Sequence, residues 1–353
     1  MAAVSLHDLT TTVGRRTVLD GVDAKIPDGG FAAVIGPSGT GKSTLLRTIA
    51  GLETPSRGRV EFDGVDMSPR RTAERDVGMV FQSAALLPTR NVRRNVQFPL
   101  ELRRQAAAAI RERVGAEARA MHIDHLLERN PATLSRGEEQ LVQIARTMVR
   151  TPRVLLLDEP FAPLDEHLRQ RMRREIRMLQ AGYRVTTLMA TNEPVDAMSL
   201  ASLLIVLDGS PASVVQTGTP AEVHDEPASV AIATATGPLW RLRVEVTADG
   251  GGYWLSAHEA VHLRVWSPAL AAHVGRMVTL GVRTAGLVRD DRGEAEATLL
   301  RIVPGATGGL LCRWAGELVT AEGTATAEEI DSSMRLRVDR PQIFDPSSGA
   351  RIA

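Results

Sequence analysis

The sequence predicts an α/β domain with a parallel sheet, followed by a smaller β-rich domain. As far as about residue 230, short apolar runs that end in Gly- or Asp-containing turns alternate with helical patterns. From about Pro227, Gly-rich turns separate short runs of alternating polarity, such as residues 241–246. Strands that alternate with helices form layered α/β domains, whereas short alternating strands are typical of small barrels. We therefore expect domains at residues 1–230 and 231–353.

Five nearly continuous apolar runs predict the strands of the first domain. Such runs are typical of strands that helices cover on both faces, as in a parallel sheet. They are residues 31–35, 77–81, 154–157, 185–190 and 203–207.

Helical patterns supply the layers around this sheet. Apolar residues recur at helical spacing from Leu164 to Leu179, with Arg, Gln and Glu between them. Between Gln82 and about Arg150 the pattern is mostly helical, and we interpret residues 83–150 as a helical segment beside the sheet.

Composition restricts the class of function. Lys plus Arg and Asp plus Glu each number 42, so the formal net charge is zero, which argues against a nucleic-acid partner. The single cysteine, Cys312, excludes an intrachain disulfide, and we interpret it as a small core side chain.

No segment of the sequence is predicted to cross a membrane or to direct secretion. The N-terminal residues MAAVSLHDL lack the basic region and apolar core of a secretory signal. No uninterrupted apolar stretch reaches the ~18 residues that a membrane-spanning helix needs. If the protein acts at a membrane, we expect other chains to supply the spanning part.

A phosphate-binding loop is the most specific motif. It matches G-x-x-x-x-G-K-[ST] in full, between a predicted strand and a helical run, and so predicts a site for the phosphates of a nucleotide. Glycines let backbone N–H groups and the helix N-terminus approach phosphate oxygens. Lys42 is expected on the β- and γ-phosphates and the Ser43 hydroxyl on Mg²⁺. The expected phosphate-binding residues are Gly36, Pro37, Ser38, Gly39, Thr40, Gly41, Lys42, Ser43 and Thr44.

An acidic pair ends the apolar run at residues 154–157. Asp158 follows this strand directly, so it is expected to hold Mg²⁺ near the phosphates. Glu159 comes next and is expected to polarise the attacking water.

Further motifs follow the phosphate-binding loop along the chain. Their order and spacing make the chain resemble the ATPase subunits of ABC transporters. Within that family it is similar to the importer subunits of the maltose and glycerol-phosphate type. Residues 343–346, Ile-Phe-Asp-Pro, resemble the last strand of the importer accessory domain. The other matching positions are Gln82 (Q-loop), Leu134–Glu138 (signature), Leu164-Asp165 (D-loop) and Val195, Ala197 and Met198 after the switch position.

This resemblance implies a P-loop NTPase nucleotide-binding domain with a helical subdomain, plus a C-terminal OB-like (TOBE-type) regulatory domain. It implies Gln82 as a sensor of Mg²⁺ and γ-phosphate, and Ser135 and Gly137 against the nucleotide of an opposite subunit. Implied partners are transmembrane permease subunits, a second ATP-binding subunit in a homodimer or heterodimer, and an extracytoplasmic solute-binding protein within the complex. The implied location is the cytoplasmic face of the cell membrane.

The chain departs from the family pattern at several positions of the expected site. Val13 stands where an aromatic residue usually stacks on adenine, and Arg136 and Glu138 replace signature residues. Asn192 occupies the switch-histidine position; its amide can donate a hydrogen bond but cannot carry a proton. Ala162-Pro163 replaces a polar pair before the D-loop.

These features favour an ATP-hydrolysing subunit that energises import of sugars or related small solutes. The departures motivate an alternative, a nucleotide-binding switch or assembly subunit with little intrinsic hydrolysis. A soluble ABC-type ATPase acting on nucleic acid is a third class, disfavoured by the neutral charge.

Overall fold

The computed structural model describes residues 2–82, 86–162, 164–249, 252–257, 261–303 and 309–353. Some residues of the sequence predictions lie outside these ranges: residues 83–85 at the start of the helical segment, Pro163, and Gly250 and Gly251 in the Gly-rich region. The chain divides into two compact units, Met1–Pro220 and Ala221–Ala353.

The first unit contains a ten-stranded sheet in its described residues, in the order β5-β4-β1-β2-β10-β9-β3-β8-β7-β6. Its strands are β1 (Val4–Val13), β2 (Arg16–Ile26), β3 (Phe31–Ile35), β4 (Arg57–Phe62), β5 (Val65–Asp66), β6 (Val77–Val80), β7 (Val154–Asp158), β8 (Thr186–Ala190), β9 (Leu203–Gly209) and β10 (Ala212–Gly218). The neighbours β9, β3, β8, β7 and β6 pair in parallel and correspond to the five predicted runs. Every residue of β3, β7 and β8 is buried, which confirms that these strands are covered on both faces.

Antiparallel strands extend this sheet on the side of β2 and β10. In β1, Val4, Leu6 and Leu9 are buried and alternate with more exposed residues, the pattern of a half-buried strand.

Helices of the first unit pack around this sheet. They are α1 (Lys42–Ala50), α2 (Val92–Leu102), α3 (Ala107–Ala120), α4 (Arg136–Met148), α5 (Glu166–Tyr183) and α6 (Pro194–Leu200). Helices α2, α3 and α4 form the helical segment predicted within residues 83–150. Helix α5 buries Met172, Ile176 and Leu179, three of the apolar positions that predicted it.

The second unit is rich in strands and contains a closed ring. Its helices are α7 (Pro220–Asp225) and α8 (Val230–Ala235), and its strands are β11 (Leu239–Asp249), β12 (Gly252–Ala257), β13 (Val261–Val265), β14 (Met277–Arg283), β15 (Leu287–Arg289), β16 (Ala295–Val303), β17 (Gly309–Trp314), β18 (Glu317–Glu322), β19 (Ser333–Val338) and β20 (Gln342–Phe344). Strands β16, β17, β18, β15 and β19 pair in sequence, and β19 pairs with β16 again. Five strands closed in this way form an OB-like barrel.

The core of this unit confirms the interpretation of Cys312 and contains a stacked aromatic pair. Cys312 is fully buried, and burial raises the pKa of its thiol to about 11. The rings of Trp240 and Trp314 stack with their centroids 4.4 Å apart.

The division between the units lies ten residues before the expected boundary at residue 230. The reason is that α7 and α8 are bound to the barrel unit. Arg283 donates hydrogen bonds to the carbonyl oxygens of His224 (3.2 Å) and Ala233 (2.6 Å). Ser229 forms an isolated bridge with Ala350.

Candidate functional site

The phosphate-binding loop follows β3 and depends on glycine at two positions. Gly36 has φ of 155°, and a Cβ there would lie 2.2 Å from the carbonyl oxygen of Leu207. Gly41 has φ of 96°, and its Cβ would lie 2.7 Å from Cγ1 of Val18. Any side chain at either position would clash in an unfavourable backbone conformation. The motif glycines are therefore required by the loop itself.

The loop leads into α1 and leaves backbone donors at the start of that helix. Gly41 caps the helix without a side-chain hydrogen bond. The hydrogen bond from the Leu45 amide to the Gly41 carbonyl (2.8 Å) closes the first turn. The amides of Lys42, Ser43 and Thr44 precede that bond and have no acceptor within the helix. Such donors at a helix N-terminus are suited to binding an anion.

Lys42 is enclosed by the same loop. Its side chain is 5% exposed and donates to the carbonyl oxygens of Gly36 (2.9 Å) and Pro37 (2.8 Å). Burial lowers the pKa of Lys42, and the nearby carboxylates of Glu159 and Asp158 oppose that shift. The ammonium group is therefore held in the loop, where a phosphate would replace the carbonyl oxygens as its acceptor.

Oxygen ligands suited to Mg²⁺ lie beside the loop. The Ser43 hydroxyl donates to Oδ1 of Asp158 at 2.8 Å, which joins α1 to the end of β7. A hydroxyl and a carboxylate are the hard oxygen ligands that Mg²⁺ prefers, with phosphates and water completing its shell. Among the described residues, no group of three His, Cys, Asp or Glu side chains is placed to hold a metal by itself.

Glu159 follows Asp158 directly and contacts two other residues of the predicted site, Gln82 and Asn192. Its backbone has φ of 47°, uncommon outside glycine, and its amide donates to the Ala190 carbonyl oxygen at 2.9 Å. The Asn192 amide donates to Oε1 of Glu159, and the Gln82 amide donates to Oε2 at 3.4 Å. The carboxylate is thus oriented by one side-chain amide on each oxygen.

Three predicted residues lie elsewhere in the first unit. Val13 ends β1 at a tight turn, pairs with Arg16, and is 42% exposed. Ser135 precedes α4, and Gly137 lies in its first turn, where a Cβ would be 3.5 Å from Leu168 of α5. The described chain alone therefore shows no role for these residues beside the phosphate loop.

The first turn of α4 is held by a capping box. The Ser135 hydroxyl accepts from the Glu138 amide (3.3 Å), and Oε2 of Glu138 accepts from the Ser135 amide (2.7 Å). Arg129 also pairs with Glu138 at 3.3 Å. The hydrogen bond from the Ser135 backbone lowers the pKa of Glu138. Glu138 thus stabilises the helix start.

Glu138→Gln should lower the free energy of unfolding by about 0.3–1 kcal/mol at pH 7, because glutamine can still complete the capping box but lacks the negative charge beside the helix N-terminus and Arg129. The folded pKa of Glu138 lies below its ordinary value of 4.5, so its stabilisation is present above pH 4.5 and disappears as the pH falls through the folded pKa. Urea unfolding of both proteins across pH checks this. Glu139→Gln removes a charge from the same turn but leaves the capping box intact, so it should have less effect at pH 7. Equal losses of unfolding free energy in the two variants would contradict the capping role of Glu138.

The structure also brings together side chains near Asn192 that the motifs did not indicate. Arg169 and Arg173 on α5 face Glu193 and Asp196, which follow β8. The four-residue spacing of the two arginines places them on one helix face, but the sequence alone does not show what they meet.

Comparisons with known proteins give matches to both the sequence and the fold of this chain. The sequence profile of the ABC transporter family matches residues 19–162. A protein of Ruegeria sp., named sn-glycerol-3-phosphate import ATP-binding protein UgpC, is 36% identical over 367 residues, which cover 100% of both chains. A protein of Rhizobium etli with a corresponding name is 42% identical over 71% of this chain and 73% of its own. Among solved structures, cbiO1 from Clostridium perfringens, described as part of the ABC transporter complex cbiONQ, has a TM-score of 0.59 at 28% identity and covers 63% of this chain and 90% of its own.

Proposed function

Because this chain belongs to the ABC transporter ATP-binding proteins, which are ATPases, we propose that it energises import of sn-glycerol-3-phosphate or a related small polar solute. The names of the Ruegeria and Rhizobium relatives support this solute class. One arrangement carries the proposed chemistry: a side-chain amide donates to each oxygen of Glu159, and the Glu159 and Asp158 carboxylates lie near enough to Lys42 of the phosphate loop to oppose the lowering of its pKa.

The proposed roles follow from the contacts. The loop amides and Lys42 bind the triphosphate, and Ser43 and Asp158 hold Mg²⁺. When bound, this ion neutralises charge on the β- and γ-phosphates. Glu159 accepts a proton from the attacking water, as a positioned carboxylate can. Gln82 and Asn192 keep its two oxygens in a fixed orientation.

No helix in the described part of the chain is long and apolar enough to cross a membrane.

The proposed complex contains transmembrane permease subunits, a second ATP-binding subunit and an extracytoplasmic solute-binding protein. In it the chain lies on the cytoplasmic face of the cell membrane. The names of the relatives support a transporter complex, and they lend no support to a nucleotide-binding switch with little hydrolysis.

Uptake of labelled sn-glycerol-3-phosphate tests this proposal. In the source cells, deletion of the chain should abolish ATP-driven uptake, and expression of the wild-type chain should restore it. The Lys42→Ala chain should not restore it. Unchanged uptake of this solute after deletion, with uptake of labelled maltose lost instead, would reject sn-glycerol-3-phosphate as the solute and keep the importer. Unchanged uptake of both would reject import of either solute by a transporter that depends on this chain.

Asn192→His should raise the turnover of the purified protein. A histidine can donate a hydrogen bond and also carry a proton, whereas an amide can only donate. We expect wild-type turnover below the range of about 1–100 s⁻¹ known for phosphoryl-transfer enzymes. The variant should turn over about tenfold faster. This gain is a small part of the 10²–10⁴-fold rate enhancement that acid–base groups contribute. Phosphate release at saturating ATP measures both. A wild-type rate already within that range, unchanged in the variant, would contradict the prediction.

A further inference from the structure

Two ion pairs lie behind Asn192, between α5 and the segment that follows β8. Nε of Arg173 is 2.6 Å from Oδ1 of Asp196, within hydrogen-bond distance. One turn earlier on α5, the Arg169 guanidinium lies 3.6 Å from Oε1 of Glu193. The residues next to Asn192 and at the start of α6 are thus attached to one face of α5.

The inner pair is buried. The Asp196 side chain is fully buried, and that of Arg173 is 13% exposed. Burial raises the pKa of the Asp196 carboxyl, and Arg173 opposes this shift. Removing one member of a buried pair leaves an uncompensated polar group, which is strongly unfavourable. The contact therefore fixes α6 on α5.

Backbone hydrogen bonds connect this contact to Asn192. The Thr191 amide donates to the Val34 carbonyl oxygen of β3 at 3.2 Å, and the Glu193 amide donates to the Thr191 hydroxyl at 3.0 Å. The Asp196 amide donates to the Glu193 carbonyl oxygen at 3.2 Å. Asn192 therefore lies on a short segment that is held by the sheet on one side and by Asp196 on the other.

The same cluster contains an unused donor and an unused acceptor. In the described chain, Nε of Arg169 and Oδ2 of Asp196 are buried and have no hydrogen-bond partner. The Arg169 charge acts on Asp196, so the two groups are close. Arg169 thus contributes positive charge beside the buried Arg173–Asp196 pair.

We propose that Arg169, Arg173, Glu193 and Asp196 form a positioning relay that holds Asn192 against the Glu159 carboxylate. The relay residues act through Asn192 and do not touch nucleotide. This inference rests on the roles proposed above for Glu159 and Asn192.

A double-mutant cycle tests the relay. Asp196→Asn keeps the side-chain size and removes the charge that Arg173 holds. It should lower kcat for ATP by roughly tenfold, less than the ~10²-fold that a 1 Å displacement can cost, and leave KM for ATP within about twofold. In an Asn192→Ala background the same change should have almost no effect on kcat. Equal loss in both backgrounds would show a role independent of Asn192 and overturn the proposal.

Amide hydrogen exchange provides a readout that needs no turnover. Without nucleotide, Asp196→Asn should speed exchange at the amides of residues 192, 193 and 195–197. Arg174→Gln, at an exposed position on α5, should not. Unchanged exchange at these residues would overturn the relay. This result does not depend on whether Asn192 has a catalytic role. If Asp196→Asn does not fold, Glu193→Gln loosens the half-exposed outer pair. It should speed the same amides, and its failure to do so would also overturn the proposal.

Discussion

Replacing Glu159 with Gln is expected to lower kcat for ATP hydrolysis by about 10²–10⁴-fold, the usual contribution of a positioned acid–base group. Glutamine keeps the length of the side chain but cannot accept the proton of the attacking water at neutral pH. Lys42, Ser43 and Asp158 are unchanged, so Kd for ATP should stay within a few-fold of wild type. Phosphate release and nucleotide binding, measured on the same preparation, separate the two effects.

The Glu159→Gln protein should also accumulate as an ATP-bound dimer, because closure around nucleotide would no longer be reversed by hydrolysis. Size-exclusion chromatography with Mg·ATP measures this. Glu175→Gln, a half-buried carboxylate on α5, is the matched control and should behave as wild type. Turnover that survives in Glu159→Gln would mean that Glu159 does not accept the proton of the attacking water. Another carboxylate would then have to do so, and Asp158 is the nearest in sequence.

The sequence predicted the parallel part of the sheet because burial on both faces leaves a distinct pattern. The runs that became β3, β7 and β9 are almost entirely apolar and end in glycine or in polar residues, so their ends could be placed within one or two residues. The run that became β8 also contains Thr186 and Thr187, which are buried with its apolar residues. The antiparallel strands β1 and β2 were not identified. Their polar and apolar residues alternate with register shifts, which weakens the period of two.

The conformation of the predicted phosphate-binding loop follows from its sequence for a related reason. A loop that brings backbone amides onto phosphate needs glycine where no Cβ fits, and Gly36 shows this directly through its approach to Leu207. Asp158 directly follows an apolar run, and this position predicted that it lies at the carboxyl end of a buried strand, as it does in β7. The relay on α5 was not predictable, because pairing of Arg173 with Asp196 depends on how two helices pack, and charged residues on a helix usually face solvent.

The signature turn shows why a motif position does not by itself give a role. Glu138 replaces a signature residue close to Ser135 and Gly137, which the resemblance places against the nucleotide of an opposite subunit. In the structure its carboxylate accepts hydrogen bonds from Ser135 and pairs with Arg129. The charge is therefore partly neutralised within the subunit, a consequence of the capping box that begins α4.

Lys42→Ala should weaken ATP binding by about 2–3 kcal/mol, or roughly 30- to 150-fold in Kd, because charge-assisted hydrogen bonds of this size are lost. The net effect is limited because Lys42 must first release the carbonyl oxygens of Gly36 and Pro37. Burial lowers the pKa of the ammonium group, but the neighbouring carboxylates oppose the shift. Isothermal titration with and without Mg²⁺ measures the change.

The composition supplies a matched control for this experiment. Lys25 and Lys42 are the two lysines of the sequence, and Lys25 is exposed on β2. Lys25→Ala should leave ATP affinity unchanged, and urea unfolding should confirm that both variants fold. An amine-acetylating reagent adds a test on the wild-type chain: ATP should protect Lys42 and leave Lys25 as reactive as before. Equal affinity in Lys42→Ala and wild type, with no protection by ATP, would mean that triphosphate does not bind in this loop, because a bound phosphate cannot avoid the one ammonium group enclosed there.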